Sequence, residues 1–338
     1  MAQKTPTTGR AVTRADVARY AGVSDAVVSW VVNDGPKTVS AATTARVRDA
    51  IEKLGYRPNS TARALALGTT KTLGLVVPDS TNLFYAEYAA AIQRAAAERG
   101  YALLTISSES DPAIALRGML ELCDRQIDGL LVARGSGTAG VGELARRGIR
   151  TPVVLIDSAS PYPGYAALGS DNAAGIDVTV DHLLRVHEHR SVSMIIGDTA
   201  DVDTDGRESG WLKAHARHQR RPGVIARAPF TRTGGYEAGL RLLRADERPT
   251  AVVTGSDLQA IGLLRAAREL GLAVPQDLAV ASFDGTEEAA FAWPSVTTSR
   301  QPIEAMAEAA VSAVLSPEPT AGHRVFATEL IIGGSCGC

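Results

Sequence analysis

No run of about 18 apolar residues occurs in the 338-residue sequence, so no segment is long enough to cross a membrane as a helix. The opening MAQKTPTTGR lacks an apolar core and is not expected to act as a secretory signal; residues 1–11 read as a disordered polar arm. Cysteine is scarce, with three residues, Cys123, Cys336 and Cys338. An odd count without export argues for reduced thiols and a cytoplasmic location. No partner ligand lies near Cys336-Gly337-Cys338 in sequence, and the histidines of RVHEHRSVS (185–193) lack zinc-site spacing. The first reads as a loose tail and the second as a loop, with no metal and no cofactor expected. Neither a P-loop nor a His-Glu-x-x-His motif is found, and nothing fixes the separation of a glycosidase-like carboxylate pair, so the chain does not read as an enzyme.

With 45% hydrophobic and 21% charged residues the composition is that of an ordinary globular protein, and the length suits two or three compact units. The net charge of −2 conceals an asymmetry. Residues 1–72 hold eleven Lys/Arg and five Asp/Glu, or +6; the remainder therefore holds 24 basic and 32 acidic groups, or −8. A basic head on an acidic body suits a head that meets a polyanion, although a merely solvated basic face gives the same sum.

The first 70 residues show helix signals at short intervals. Thr13 and Asp16 form a capping box, opening a helix with Val17, Ala18 and Ala21 inward. Gly22 supplies a turn, and Ser24 caps a second helix whose Val27, Val28, Val31 and Val32 are spaced to bury one face. Its outward side carries Asp25 and Trp30. Asn33-Asp34-Gly35-Pro36 stops it, and a third helix runs from near Ser40 through Val47, Ile51 and Leu54 to Gly55. Three short helices with a tight turn make a helix-turn-helix domain.

From Leu73 onward, apolar runs such as LGLVV (73–77), IDGLLV (127–132), PVVLI (152–156) and LAVASF (278–283) alternate with amphipathic helices. That rhythm predicts parallel sheets covered by helices, arranged as two similar lobes around a cleft. Ligands bind such sheets at the carboxyl ends of the strands. Those ends carry Asp79, Asp157, Asp198, Ser256-Asp257 and Asp284, acceptors suited to a polyhydroxylated ligand, although each singly is as well explained as a helix cap.

The segments VTRADVARYAGVSDAVVSWVVND and VSAATTARVRDAIEKLGYRPNSTARAL resemble the head of the lac-repressor (LacI/GalR) family of bacterial transcription regulators. NLFYAE, SDNAAG, RESGW, GGYEAG, VPQDLAVASFD and PSVTTSRQP follow in family order and are similar to its sensor domain. The resemblance implies an all-α helix-turn-helix domain (12–58), a hinge helix (59–71) and an α/β two-lobed, periplasmic-binding-protein-like (type I) effector domain (72–338). The first lobe would span about 72–170 and 300–324, the second about 171–299 and 325–338. It further implies a homodimer on a palindromic double-stranded DNA operator, regulated by a small-molecule effector.

Carried over residue by residue, the DNA contacts are Thr13, Ser24, Asp25, Ala26, Val27, Ser29, Trp30, Asn33, Arg57, Asn59, Arg63 and the minor-groove wedge Leu65. The arginine usual at position 30 is absent, so Asp25 would accept from a cytosine amino group and Ala26 would touch a thymine methyl. Loss of operator recognition is the alternative. The effector residues implied are Asp79, Phe84, Tyr85, Asp157, Arg207, Phe230, Ser256 and Asp284, with Phe84 and Phe230 equally readable as core. Four acids, Asp198, Asp201, Asp203 and Asp205, precede Arg207 and argue against a phosphorylated or carboxylate effector and for a neutral sugar. Helices 85–98 and 257–270 are expected to dimerise through Ala-rich faces. A relative of sugar transport receptors fits the body but not the head.

Overall fold

A computed structural model describes residues 12–32, 38–57, 64, 68–136, 139–158, 160–197, 206–316 and 321–338. The chain divides into two units, Met1–Thr70 and Lys71–Cys338.

In the first unit, α1 (Arg14–Ala21), α2 (Asp25–Val32) and α3 (Ala41–Leu54) surround a small core. The Thr13–Asp16 capping box closes α1: Asp16 N–H donates to Thr13 Oγ1 at 3.4 Å, and Thr13 N–H donates to Asp16 Oδ2 at 2.9 Å. Val17, Ala18, Ala21, Val28, Val47 and Ala50 are buried, with Val31, Val32, Ile51 and Leu54 packed at their edge. Val27 does not join this core and stays half-buried, because α2 is short and Val28 takes the innermost position. Each fully buried valine contributes about 1.5–3 kcal/mol.

The second unit holds two six-stranded sheets, ordered β11-β5-β4-β3-β1-β2 and β12-β10-β9-β8-β6-β7. Their strands are β1 (Thr72–Val77), β2 (Ala102–Ser107), β3 (Gly129–Ala133), β4 (Val153–Ile156), β5 (Ala166–Ser170), β6 (Ser193–Ile196), β7 (Ile225–Arg227), β8 (Ala251–Thr254), β9 (Ala279–Asp284), β10 (Thr297–Arg300), β11 (Gly322–Phe326) and β12 (Glu329–Ile331). All pairings are parallel except β10 with β12. The inner strands are buried on both faces and therefore read as unbroken apolar runs; β2, an edge strand, leaves Leu104 exposed.

Helices cover both faces of each sheet. In the first lobe α4 (Leu83–Glu98) and α12 (Ile303–Val314) share one core, and α5 (Pro112–Asp124) packs with α6 (Ala139–Arg146) over the other. In the second lobe α7 (Asn172–Arg185) pairs with α8 (Arg207–Arg217), and α9 (Arg232–Leu243) with α10 (Asp257–Glu269). A short α11 (Glu287–Phe291) follows β9. The small residues of α10 serve the α9 pair: a Cβ on Gly262 would stand 2.1 Å from Arg232 O and 2.5 Å from Tyr236 N. The Ala-rich face expected to dimerise is thus largely used within the chain, whereas α4 leaves Ala86, Ala90 and Ala97 exposed.

The chain crosses between lobes after β5, after β10 and after β11. Asp171 N–H donates to Phe326 O at 2.8 Å, and Ser299 Oγ donates to Thr328 Oγ1 at 2.9 Å, so the crossings are laced together. Val325 and Phe326 pair with β5 in the first sheet, which moves the last crossing two residues beyond the expected boundary at 324. Of the Cys336-Gly337-Cys338 expected as a loose tail, Cys336 is instead packed, and the residues before it are bonded in place. Ser335 Oγ donates to Val280 O at 2.6 Å and accepts from Thr297 N–H at 2.9 Å, and Cys336 is 2% exposed within the second-lobe core.

Candidate DNA-reading face and effector site

In the first unit, Ser24, Asp25 and Ala26 form a contiguous exposed patch at the start of α2. Ser24 Oγ accepts Val27 N–H at 3.4 Å, so the serine caps the helix while remaining accessible. Asp25 lies in the first turn, where a carboxylate suits the helix dipole. Arg14 Nε approaches Asp25 Oδ2 at 3.8 Å, but both side chains are about half exposed and the pair is weak. Ser29 and Trp30 are half-buried, so the indole is less exposed than its expected outward position implies. Thr13 directs its hydroxyl to Asp16 at 2.6 Å, and Arg57 is exposed. Asn33, Asn59, Arg63 and Leu65 lie outside the described residues, as do residues 1–11.

In the second unit, the ends of β4 and β9 bring carboxylates and a guanidinium together. Asp157 follows β4 with φ 53°, and Asp284 closes β9 with φ 119°, backbone conformations that cost energy in a non-glycine residue. Half-buried Tyr85 donates its phenol to Asp157 Oδ2 at 2.8 Å. Arg207, 8% exposed in the first turn of α8, lays its guanidinium 4.5 Å from the Phe283 ring centre and 5.6 Å from that of Phe230. Burial, reinforced by Asp257, pushes the Asp284 carboxyl well above the usual carboxylate range, against the pull of Arg207. Burial raises the Tyr85 phenol as well, with Asp157 and Asp284 adding and Arg207 opposing.

Other expected effector residues have local duties. Ser256 is 3% exposed and caps α10, accepting Gln259 N–H at 3.3 Å; its short side chain is committed there. Asp79 accepts both Thr81 N–H (2.8 Å) and Thr81 Oγ–H (2.7 Å) in the loop before α4. Phe84 is 3% exposed and packs 5.1 Å from Tyr85 and 5.9 Å from Tyr88, the core alternative rather than a pocket wall. Phe230 is half-buried against Arg207. The acids Asp198, Asp201, Asp203 and Asp205 lie outside the described residues.

Gln301, given no role in the sequence reading, and Asp257, read there as a strand-end acceptor or helix cap, connect this site to the rest of the lobe. Gln301, 2% exposed at the crossing after β10, donates Nε2 to Asp284 Oδ1 at 2.9 Å, while its Oε1 accepts from Ser170 Oγ at 2.5 Å. Asp257 accepts from Ser282, Thr286 N–H (2.7 Å), Thr286 Oγ1 (2.9 Å) and Thr298 Oγ1 (2.9 Å), a satisfied buried hub. An open groove of about 430 Å³ at the amino ends of β5 and β11 lies at the opposite end of the first sheet and has no carboxylate in its lining.

Two short motifs with catalytic spacing occur. Gly333-Gly334-Ser335-Cys336-Gly337 has the Gly-x-Ser-x-Gly pattern, yet Ser335 is fully buried with its hydroxyl spent on the backbone, which excludes an exposed nucleophile. Gly135-Ser136-Gly137-Thr138-Ala139-Gly140, between β3 and α6, has dinucleotide-turn spacing; residues 137–138 lie outside the described residues, and the spacing alone is a weak signal.

Comparison with known proteins places these features in context. Residues 13–59 match the model of bacterial regulatory proteins of the lacI family, and residues 180–336 match a periplasmic binding protein-like domain. The chain is 35% identical over 306 residues to the ribose operon repressor of Escherichia coli K12, covering 90% of this chain and 92% of that one. It is 32% identical over 302 residues to the HTH-type transcriptional repressor PurR of Pectobacterium carotovorum, covering 89% and 88%. The crystal structure of the Lac repressor dimer bound to operator and an anti-inducer superposes with a TM-score of 0.86 at 25% identity, covering 97% of this chain and 99% of that chain.

Proposed function

Because the chain belongs to the lacI family of bacterial regulatory proteins, we propose that it is a sequence-specific transcriptional repressor whose operator affinity is set by a neutral sugar. It acts as a homodimer on a palindromic operator in the cytoplasm and carries out no chemical step. The observation that carries the effector half of this reading is the buried Arg207 guanidinium over Phe283, beside Asp284, Asp157 and Tyr85. The carboxyl groups accept hydrogen bonds from sugar hydroxyls and the buried guanidinium offers N–H groups, while aromatic faces take the apolar side of a sugar ring. Among the described residues, a phosphorylated ligand would have Arg207 as its one cation here, with Asp157 and Asp284 beside it.

The DNA half rests on the exposed Ser24–Asp25–Ala26 patch at the start of α2, the position that enters the major groove in helix-turn-helix readers. Asp25 selects a cytosine amino group and Ala26 a thymine methyl, giving an operator unlike those read by arginine. Leu65 wedges into the central base step from the minor-groove side.

Effector binding acts through the crossings between lobes. A sugar hydroxyl taken by Asp284 competes with the Gln301 amide, and Gln301 is bonded to Ser170 on a neighbouring crossing. Rearranging this chain of bonds changes the angle between lobes, alters the hinge at 59–71 and shifts operator affinity.

Calorimetric titration with ribose and other neutral sugars, alongside their phosphates, tests the ligand class. We expect a neutral sugar to bind and to change operator affinity in gel shifts. Tight binding of a phosphorylated compound, with none of the neutral sugars bound, overturns the ligand assignment.

A further inference from the structure

We propose that His182, His187, Cys336 and Cys338 form a Cys2His2 site for a zinc-like divalent cation that staples the end of α7 to residues 333–338 of the second lobe. The four candidate ligand atoms all lie within 4.8 Å of one another. His187 Nε2 is 3.2 Å from His182 Nε2; Cys338 Sγ is 3.3 Å from His187 Nε2 and 3.5 Å from His182 Nε2; Cys336 Sγ is 3.6 Å from His182 Nε2.

These four separations are close to the edges of a metal tetrahedron, and the other two lie within 4.8 Å. With Zn–S of about 2.3 Å and Zn–N of about 2.05 Å, tetrahedral geometry gives N···N of roughly 3.4 Å, N···S of roughly 3.6 Å and S···S of roughly 3.8 Å. The donor set of two thiols and two imidazoles selects zinc over hard cations such as magnesium or calcium. Both cysteines are free thiols, and each would give up its proton to solvent on ligating the ion.

The backbone is arranged around the cluster. His182 sits in the last turn of α7, and His187 follows in the loop just beyond it, with ring centres 4.9 Å apart. Cys336 is anchored in the second-lobe core beside Ser335, whose backbone and hydroxyl bond to Val280, Ser295 and Thr297. Gly337 then turns with φ 107°, a conformation that favours glycine, and a Cβ there would stand 3.4 Å from His187 Nδ1. That turn returns Cys338 to the imidazoles. The cluster joins segments about 150 residues apart, so a bound ion closes a long loop and stabilises the folded lobe.

The test uses the reduced, chelator-stripped full-length protein, titrated with Zn2+ by calorimetry and with Co2+ as a spectroscopic probe. One ion per chain, a visible spectrum of tetrahedral thiolate-bound cobalt and a higher thermal midpoint with Zn2+ are expected. Cys338→Ser and His187→Ala, which alter accessible positions, should each weaken binding by at least about 100-fold, since loss of even an outer-shell partner costs 10–100-fold. Cys123→Ser should leave binding unchanged. Wild-type protein that takes up no more zinc than Cys338→Ser, or binding that is lost with Cys123 instead, overturns the site.

Discussion

Replacing Asp284 with asparagine separates ligand recognition from folding stability. Asp284 is 5% exposed, and burial pushes its carboxyl well above the usual carboxylate range. Asparagine keeps an acceptor for Gln301 Nε2 but puts an amide N–H in place of the second carboxyl oxygen, so a sugar hydroxyl loses its acceptor there. A neutral hydrogen bond is worth about 0.5–1.5 kcal/mol, so sugar affinity should fall roughly 2- to 12-fold. The unliganded protein should respond in the opposite sense. An acid whose folded pKa is raised contributes its full stability below the unfolded value, then loses it as pH climbs toward the folded value. Asp284→Asn carries no such loss, so its thermal midpoint should equal or exceed that of wild type, with the gap widening upward from the ordinary carboxylate range. Calorimetry with the cognate sugar and thermal melts across pH measure both effects. Unchanged sugar affinity, or a lower midpoint whose gap does not depend on pH, refutes the reasoning.

Arg207→Ala should leave operator binding intact and abolish the sugar response in gel shifts; a response at wild-type concentrations removes Arg207 from the site. Leu65→Ala should weaken specific DNA binding by roughly 1–3 kcal/mol, the scale of one base-step contact, with little effect on random DNA. Equal losses on both DNAs would discard the wedge. Gly262→Ala places a methyl 2.1 Å from Arg232 O and must part α9 from α10, costing roughly 1–3 kcal/mol. A thermal midpoint unchanged from wild type would show that this helix pair yields.

The head was legible because its signals are local: Thr13 with Asp16, the turn at Gly22 and the Ser40 cap each act within a few residues. The sheets were legible because inner parallel strands are buried on both faces. What each strand-end side chain does was less so. Asp79 and Ser256 stand where a ligand contact is expected, but nearby N–H groups claim them. Phe84 turns inward because α4 packs against α12, a contact between segments over 200 residues apart. Gln301 lies in PSVTTSRQP, but the motif does not say what it does; its significance comes from meeting Ser170, 131 residues away. The same holds for His182 and His187, whose spacing looks unremarkable until the fold delivers Cys336 and Cys338 beside them.

Selection of bound sequences from a random DNA pool, with folded and dimeric full-length protein, tests the central claim most directly. The account predicts enrichment of a palindrome with a flexible central step, its half-sites showing the cytosine and thymine preferences of Asp25 and Ala26. Absence of any enriched sequence, with and without neutral sugars present, would contradict an operator-reading head and leave a sensor without an operator.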